Sequence, residues 1–71
     1  MIIKLTQTGG GGEVYVNFNN VCYIKPTYDF RKGGIEDGAS IHFNDEDYPL
    51  EVKESVSTIT RKLSAFEVVN G

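Results

Sequence analysis

A chain of 71 residues has room for one domain, spanning 1–71, and a domain this small buries only about 60% of the surface its unfolded chain exposes. Its single cysteine excludes an internal disulfide, and one cysteine with one histidine excludes a structural zinc site of the usual kind, so self-association is the open route to extra stability. A formal net charge of −3, with ten acidic residues against seven scattered basic ones, argues against nucleic acid as a partner.

The chain opens on Met1-Ile2-Ile3 and turns polar at Lys4, with no apolar run of signal-peptide or membrane-spanning length. A cytoplasmic protein that does not insert into a membrane is the expectation, and an unpaired cysteine agrees with it. Ile3 and Leu5 alternate with Lys4 and Thr6, the period of a half-buried strand, and the Gly9 to Gly12 run ends it as a flexible hairpin tip. Val14, Val16 and Phe18 then share one face and Tyr15 and Asn17 the other, so the first two strands form a hairpin. Asn19-Asn20 turns the chain, and Val21 to Lys25 reads as a third extended run stopped by Pro26.

The thirteen residues from Pro26 to Gly38 fit neither the strand nor the helix period and carry three glycines, so a long loop is predicted there. Alternation returns at Ser40 to Phe43. Asn44 to Asp47 forms a turn, and Tyr48, Leu50 and Val52 share one face of a further strand, giving a second hairpin. Val52, Val56, Ile59, Leu63 and Phe66 are spaced four, three, four and three apart, which places them on one stripe of a helix from Glu54 to Phe66. Lys53, Ser57, Arg61 and Lys62 face outward, and Glu54 near the start with Arg61-Lys62 near the end complements the helix dipole. The tail at 67–71 keeps Val68 and Val69, apolar enough to add an edge strand. The fold class is therefore α+β: a small twisted antiparallel sheet of four or five strands covered by one C-terminal amphipathic helix.

No catalytic set is legible. His42 lies on the face opposite Ile41 and Phe43, with no recognisable nucleophile and orienting acid, and reads as a surface or interface histidine. Cys22 lacks a resolving cysteine and a close basic neighbour, and reads as a small packing residue, buried or half-buried. Asn44 to Asp47 clusters carboxylates without the alternate spacing, central glycine and closing glutamate of a calcium loop, so no metal site or cofactor is expected. The glycine run leads into a strand rather than a helix, unlike a phosphate-binding loop.

The long loop is different, because Tyr28, Phe30, Arg31 and Lys32 put two aromatic and two cationic groups within five residues. That mixture suits an interface hot spot or, with Lys25, the stacking and pairing of a nucleotide-like anion. Its plain alternative is that the aromatics tuck onto the sheet and the charges are solvated.

The segment Glu13 to Ile24, with Asn17, Val21 and Ile24, resembles the stretch after the first turn of small flagellar FlbD-like proteins. Tyr48 with Val52-Lys53-Glu54-Ser55-Val56 and the continuation to Leu63 resembles that family's strand-to-helix ending, so the likeness covers about half the chain. The four glycines, the long Pro26 to Gly38 connection and the Val68-Val69 tail depart from the family pattern. The resemblance implies a motility-associated accessory role, or a phage counterpart of it, and transfers no catalytic residue. The first half of LytTR-type DNA-binding domains is similar in its order of strands and helix, but the basic second half of such a domain has no equivalent here. The expected function is a non-enzymatic, self-associating interaction module, a bacterial or phage accessory protein with a protein partner. A protein binding or sequestering a small anionic, nucleotide-like ligand and a LytTR-like nucleic-acid-binding regulator are the alternatives.

Overall fold

Alternation builds the first strands as predicted: β1 (Ile2–Gln7) buries Ile3 and Leu5, and β2 (Gly12–Asn17) buries Val16 opposite Ile3. The computed structural model of the chain describes the backbone of residues 1–70 and the side chains of residues 1–65. Beyond β2 a 3-10 turn, Phe18–Asn20, leads into β3 (Val21–Asp29), a second 3-10 turn, Phe30–Lys32, into β4 (Ile35–Phe43), and β5 (Leu50–Val52) precedes the helix α1 (Val56–Asn70). All strand pairs are antiparallel, in the order β2-β1-β5-β4-β3.

Consecutive strands are neighbours at every step except from β2 to β3, which are the two edges of that order. In a flat sheet with strands about 4.8 Å apart, those edges would stand roughly 19 Å from each other. The 3-10 turn that joins them rises only about 2 Å per residue, roughly 8 Å from Asn17 to Val21. The sheet therefore curls until its edges approach. The junction is pinned: Asn17 Oδ1 accepts the Asn19 N–H at 3.0 Å, the Phe18 N–H donates to the Met1 carbonyl at 2.9 Å, and the Asn44 N–H donates to the Asn20 carbonyl at 3.0 Å.

Inside the curl, Ile3, Leu5, Val16, Ala39, Ile41 and Val52 meet Ile59 of α1. Fully burying a side chain such as Ile59 is worth about 1.5–3 kcal/mol, and Val56 and Leu63 pack half-buried beside it. The helix covers the core as predicted, but it begins later than Glu54. Ser55 is the cap, its Oγ accepting the Thr58 N–H at 3.2 Å. Val52, expected on the helix stripe as well as the strand, belongs to β5, where it pairs with Ala39 and Gln7. Tyr48 lies outside β5 and is 84% exposed rather than on the core face. Backbone 67–70 continues the helix instead of adding an edge strand, while the side chains of Phe66, Val68 and Val69, and Gly71, lie outside the described residues.

Glu54 is held by β1 rather than by the helix start. Its carboxylate accepts the Thr6 N–H at 2.8 Å and the Thr6 Oγ1–H at 3.0 Å, while the Lys53 N–H bonds the Thr6 carbonyl at 2.8 Å. Burial alone would raise the Glu54 pKa, but the bonds from Thr6 and its own backbone, with the charge of Lys62, hold it below the ordinary carboxylate value.

The largest departure from the sequence reading is the segment Pro26 to Gly38, which is a hairpin and not a loop. β3 runs on to Asp29 and pairs with β4 through Pro26–Ala39, Tyr28–Glu36 and Asp29–Ile35. Pro26 is tolerated because β3 is an edge strand and needs no donor on its outer side. A bulge between Pro26 and Tyr28 hides the alternation, since β4 spends two residues, Asp37 and Gly38, against Thr27. Thr27 Oγ1 donates to the Asp37 carbonyl there at 2.6 Å. Gly38 sits at φ +92°, and a Cβ on it would run into the Val52 carbonyl of β5. Only glycine lets the bulge and β5 lie side by side.

Gly38→Ala is accordingly expected to cost about 3 kcal/mol or more, a fall of roughly 15 °C in melting temperature for a domain this size. Circular dichroism melts check it, and a loss of only a few degrees would mean that β5 can give way. Glu54→Gln is expected to cost about 1 kcal/mol near neutral pH by removing a charge-assisted bond. Because the folded pKa is depressed, the wild-type advantage is complete above the unfolded carboxylate value of about 4.3. It disappears as pH falls through the folded pKa, which paired denaturation curves from pH 7 down to 2.5 would follow.

Candidate interaction site

Two places on the surface carry more than solvated polar groups. The first is the far end of the β3–β4 hairpin. On β4, β5 pairs only with Ala39, Ser40 and Ile41, so Tyr28–Glu36 and Asp29–Ile35 extend past it as a two-stranded arm. Asp29 caps the tip turn through Oδ1 to the Arg31 N–H at 2.9 Å, and the Gly33 and Gly34 N–H groups close it onto the Phe30 and Asp29 carbonyls at 3.3 and 3.0 Å. The tip is thus ordered by its own backbone, and its side chains are left outward. Tyr28 is 53% exposed, Phe30 84% and Ile35 62%, with Arg31 and Lys32 exposed beside them.

Of the residues singled out from sequence, the structure brings Tyr28, Phe30, Arg31 and Lys32 together on the arm and leaves Lys25 apart. β3 runs on from Lys25 for roughly 13 Å at 3.3 Å per residue before it ends at Asp29 and the tip turn that carries Arg31 begins, and Lys25 itself pairs with Ser40 on the body of the sheet. There its Nζ lies 5.7 Å from the centroid of the Tyr23 ring, a cation–π contact. Tyr23 stacks on His42 with centroids 4.3 Å apart and planes 14° from parallel, and Ser40 Oγ lies 3.3 Å from His42 Nε2.

The Ser40–His42 pair was not anticipated from sequence, although two residues apart on a strand share a face. It has the spacing of a nucleophile and a base, yet among the described residues no carboxylate hydrogen-bonds the imidazole. The bond gives the buried Ser40 hydroxyl its partner. Cys22, expected as a packing residue, is exposed. A bulge between Val21 and Tyr23 makes it the extra residue opposite His42 and Phe43, which removes it from either regular face.

The second place is the seam where the curled edges approach. A cavity of about 300 Å³ opens there, lined among the described residues by Met1, Phe18, Val21, Ile24 and Leu63, with Tyr23 and the exposed Asn19 completing the wall. The exposed residues Asp45, Glu46 and Asp47 follow Asn44, whose N–H donates to the Asn20 carbonyl. Sequence reasoning missed this cavity, since its walls come from the N-terminus, the 3-10 turn, β3 and α1, which are distant in the chain. Among the described residues no cluster of histidine, cysteine and carboxylate groups is spaced to hold a metal ion, and no helix is long and apolar enough to cross a membrane.

Comparison with protein-family models, curated proteins and solved structures finds no match to this chain.

The exposed Cys22 predicts that one thiol per folded chain reacts with a chromogenic disulfide reagent without denaturant. Reaction only after unfolding would contradict the bulge geometry.

Proposed function

We propose that this chain is a non-enzymatic, self-associating interaction module that engages its partner through the β3–β4 arm. One observation carries the reading: Tyr28, Phe30 and Ile35 are all exposed on a two-stranded ribbon that extends past the rest of the sheet, Tyr28 and Ile35 on its opposite faces. A two-stranded hairpin is marginal in water, and a ribbon that presents large apolar groups outward gains stability when a partner covers them. Aromatic and arginine side chains are the types that dominate interface energetics, and the arm supplies both. The thin core of a 71-residue chain without disulfides favours the same outcome.

Binding of a nucleotide-like anion draws on Lys25, Arg31 and Lys32 acting as one cation set, and the separation of Lys25 from the arm weakens it. The strand-to-helix ending that resembles FlbD-like proteins is compatible with an accessory role in a bacterium or a phage. A gene neighbourhood of motor or of capsid components would distinguish these two settings.

Phe30→Asp is expected to leave folding intact and shift the protein toward monomer. Light scattering over a concentration series checks it. Equal masses for the variant and the wild type at every concentration would remove the arm from the interface.

A further inference from the structure

Two exposed features of the arm complement each other. Tyr28 and Glu36 are register partners on its two strands, so the phenol ring and the carboxylate share a face, with their Cβ atoms about 5 Å apart. An aromatic ring beside a carboxylate suits a guanidinium, which stacks on the one and pairs with the other. Arg31, exposed on the tip turn, carries such a group. Among the described residues the ion pair is Lys4 with Glu13 and the cation–π contact is Lys25 with Tyr23, so neither Arg31 nor the Tyr28–Glu36 pair is engaged in this way within one copy. We infer that Arg31 of one copy seats on the Tyr28–Glu36 pair of a second copy, the two arms lying antiparallel about a two-fold axis. The inference rests on the arm being the interaction surface, and it names the partner and the contact.

The order of charges along the arm sets that orientation. Arg31 and Lys32 form the tip, whereas the exposed Glu36 and Asp37 stand nearer the body of the sheet. Arms laid parallel would set cations on cations and carboxylates on carboxylates. Laid antiparallel, each cationic tip meets the acidic base of the other arm, and both guanidinium contacts form together. Such a contact is isologous and closes at a dimer. It runs through side chains, because Pro26 and two bulges interrupt the outer edge of β3 as a template for strand addition. The exposed parts of Tyr28 and Phe30 with the stem of Arg31 amount to roughly 400 Å² per copy, about half of a standard interface. The dimer is therefore weak, and it loosens as salt rises.

Exchange of charge tests the contact. Arg31→Glu and Glu36→Arg each set like charges against one another at both ends of the dimer. Each alone is expected to weaken it about tenfold or more at low salt, read by sedimentation velocity over a concentration series. Mixed in equal amounts, the two variants are expected to recover most of the lost affinity as a one-to-one complex, because each end then joins opposite charges. The double variant Arg31→Glu with Glu36→Arg is expected to recover on its own for the same reason. Both positions are exposed, and circular dichroism verifies that each variant is folded. A folded single variant that dimerises as the wild type does, a mixture no heavier than its components, or a wild-type mass that grows beyond the dimer would overturn the two-fold contact while leaving the arm's role to be judged by Phe30→Asp. A wild-type chain that is monomeric at millimolar concentration would overturn both.

Discussion

Three residues, Phe18 to Asn20, carry the chain from one edge of the sheet to the other, and a flat sheet cannot satisfy so short a link. Curling is forced by that length, and other features of the fold follow from it. It turns the alternate apolar residues of β1, β2, β4 and β5 inward around a single point where Ile59 of the helix enters. The cavity lined by Phe18, Val21, Ile24 and Leu63 lies at the junction itself, between the 3-10 turn, the start of β3 and the helix. The hydrogen bonds from Phe18 to Met1 and from Asn44 to Asn20 matter for this reason: they fasten the N-terminus and the acidic turn to the junction that sets the curvature.

The other determinant is how early β5 leaves the sheet. After Val52 the Lys53 N–H and the Glu54 carboxylate still engage Thr6 of β1, and Ser55 then caps α1. The chain is thereby drawn toward β1 and away from β4, so β5 does not pair with Ile35 to Asp37. The arm is a consequence of that departure. Gly38 marks where it begins, since the left-handed residue in the bulge is also the one whose missing side chain admits the Val52 carbonyl. A structural constraint at Gly38 and an exposed surface at Phe30 thus belong to one hairpin.

These dependencies explain what could be read from sequence. The strands β1 and β2 were legible because Ile3, Leu5, Val14 and Val16 keep strict alternation, and the helix because Val56, Ile59 and Leu63 keep its period. The β3–β4 hairpin was not, because each of its bulges resets the alternation and Pro26 reads as a stop unless the strand is known to lie at an edge. Edge position is a tertiary fact. The same bulges moved Cys22 from the expected packing role to the surface. Tyr28, Phe30, Arg31 and Lys32 could be singled out by composition, whereas the exclusion of Lys25 from their group needed the strand that separates them. The cavity had no sequence signature at all, as its walls come from the N-terminus, the 3-10 turn, β3 and α1.

Burial and exposure in this chain bear on each other through size. Among the described residues a core of seven buried apolar side chains is small, and yet Tyr28, Phe30, Ile35 and Tyr48 remain outside it. A longer β5 would have covered Ile35 and extended the sheet, at the expense of the bonds that fix Glu54 to Thr6 and start the helix. With the chain committed to that helix, the remaining apolar area is most readily buried between molecules. Association would add to the stability of a fold whose own core is thin.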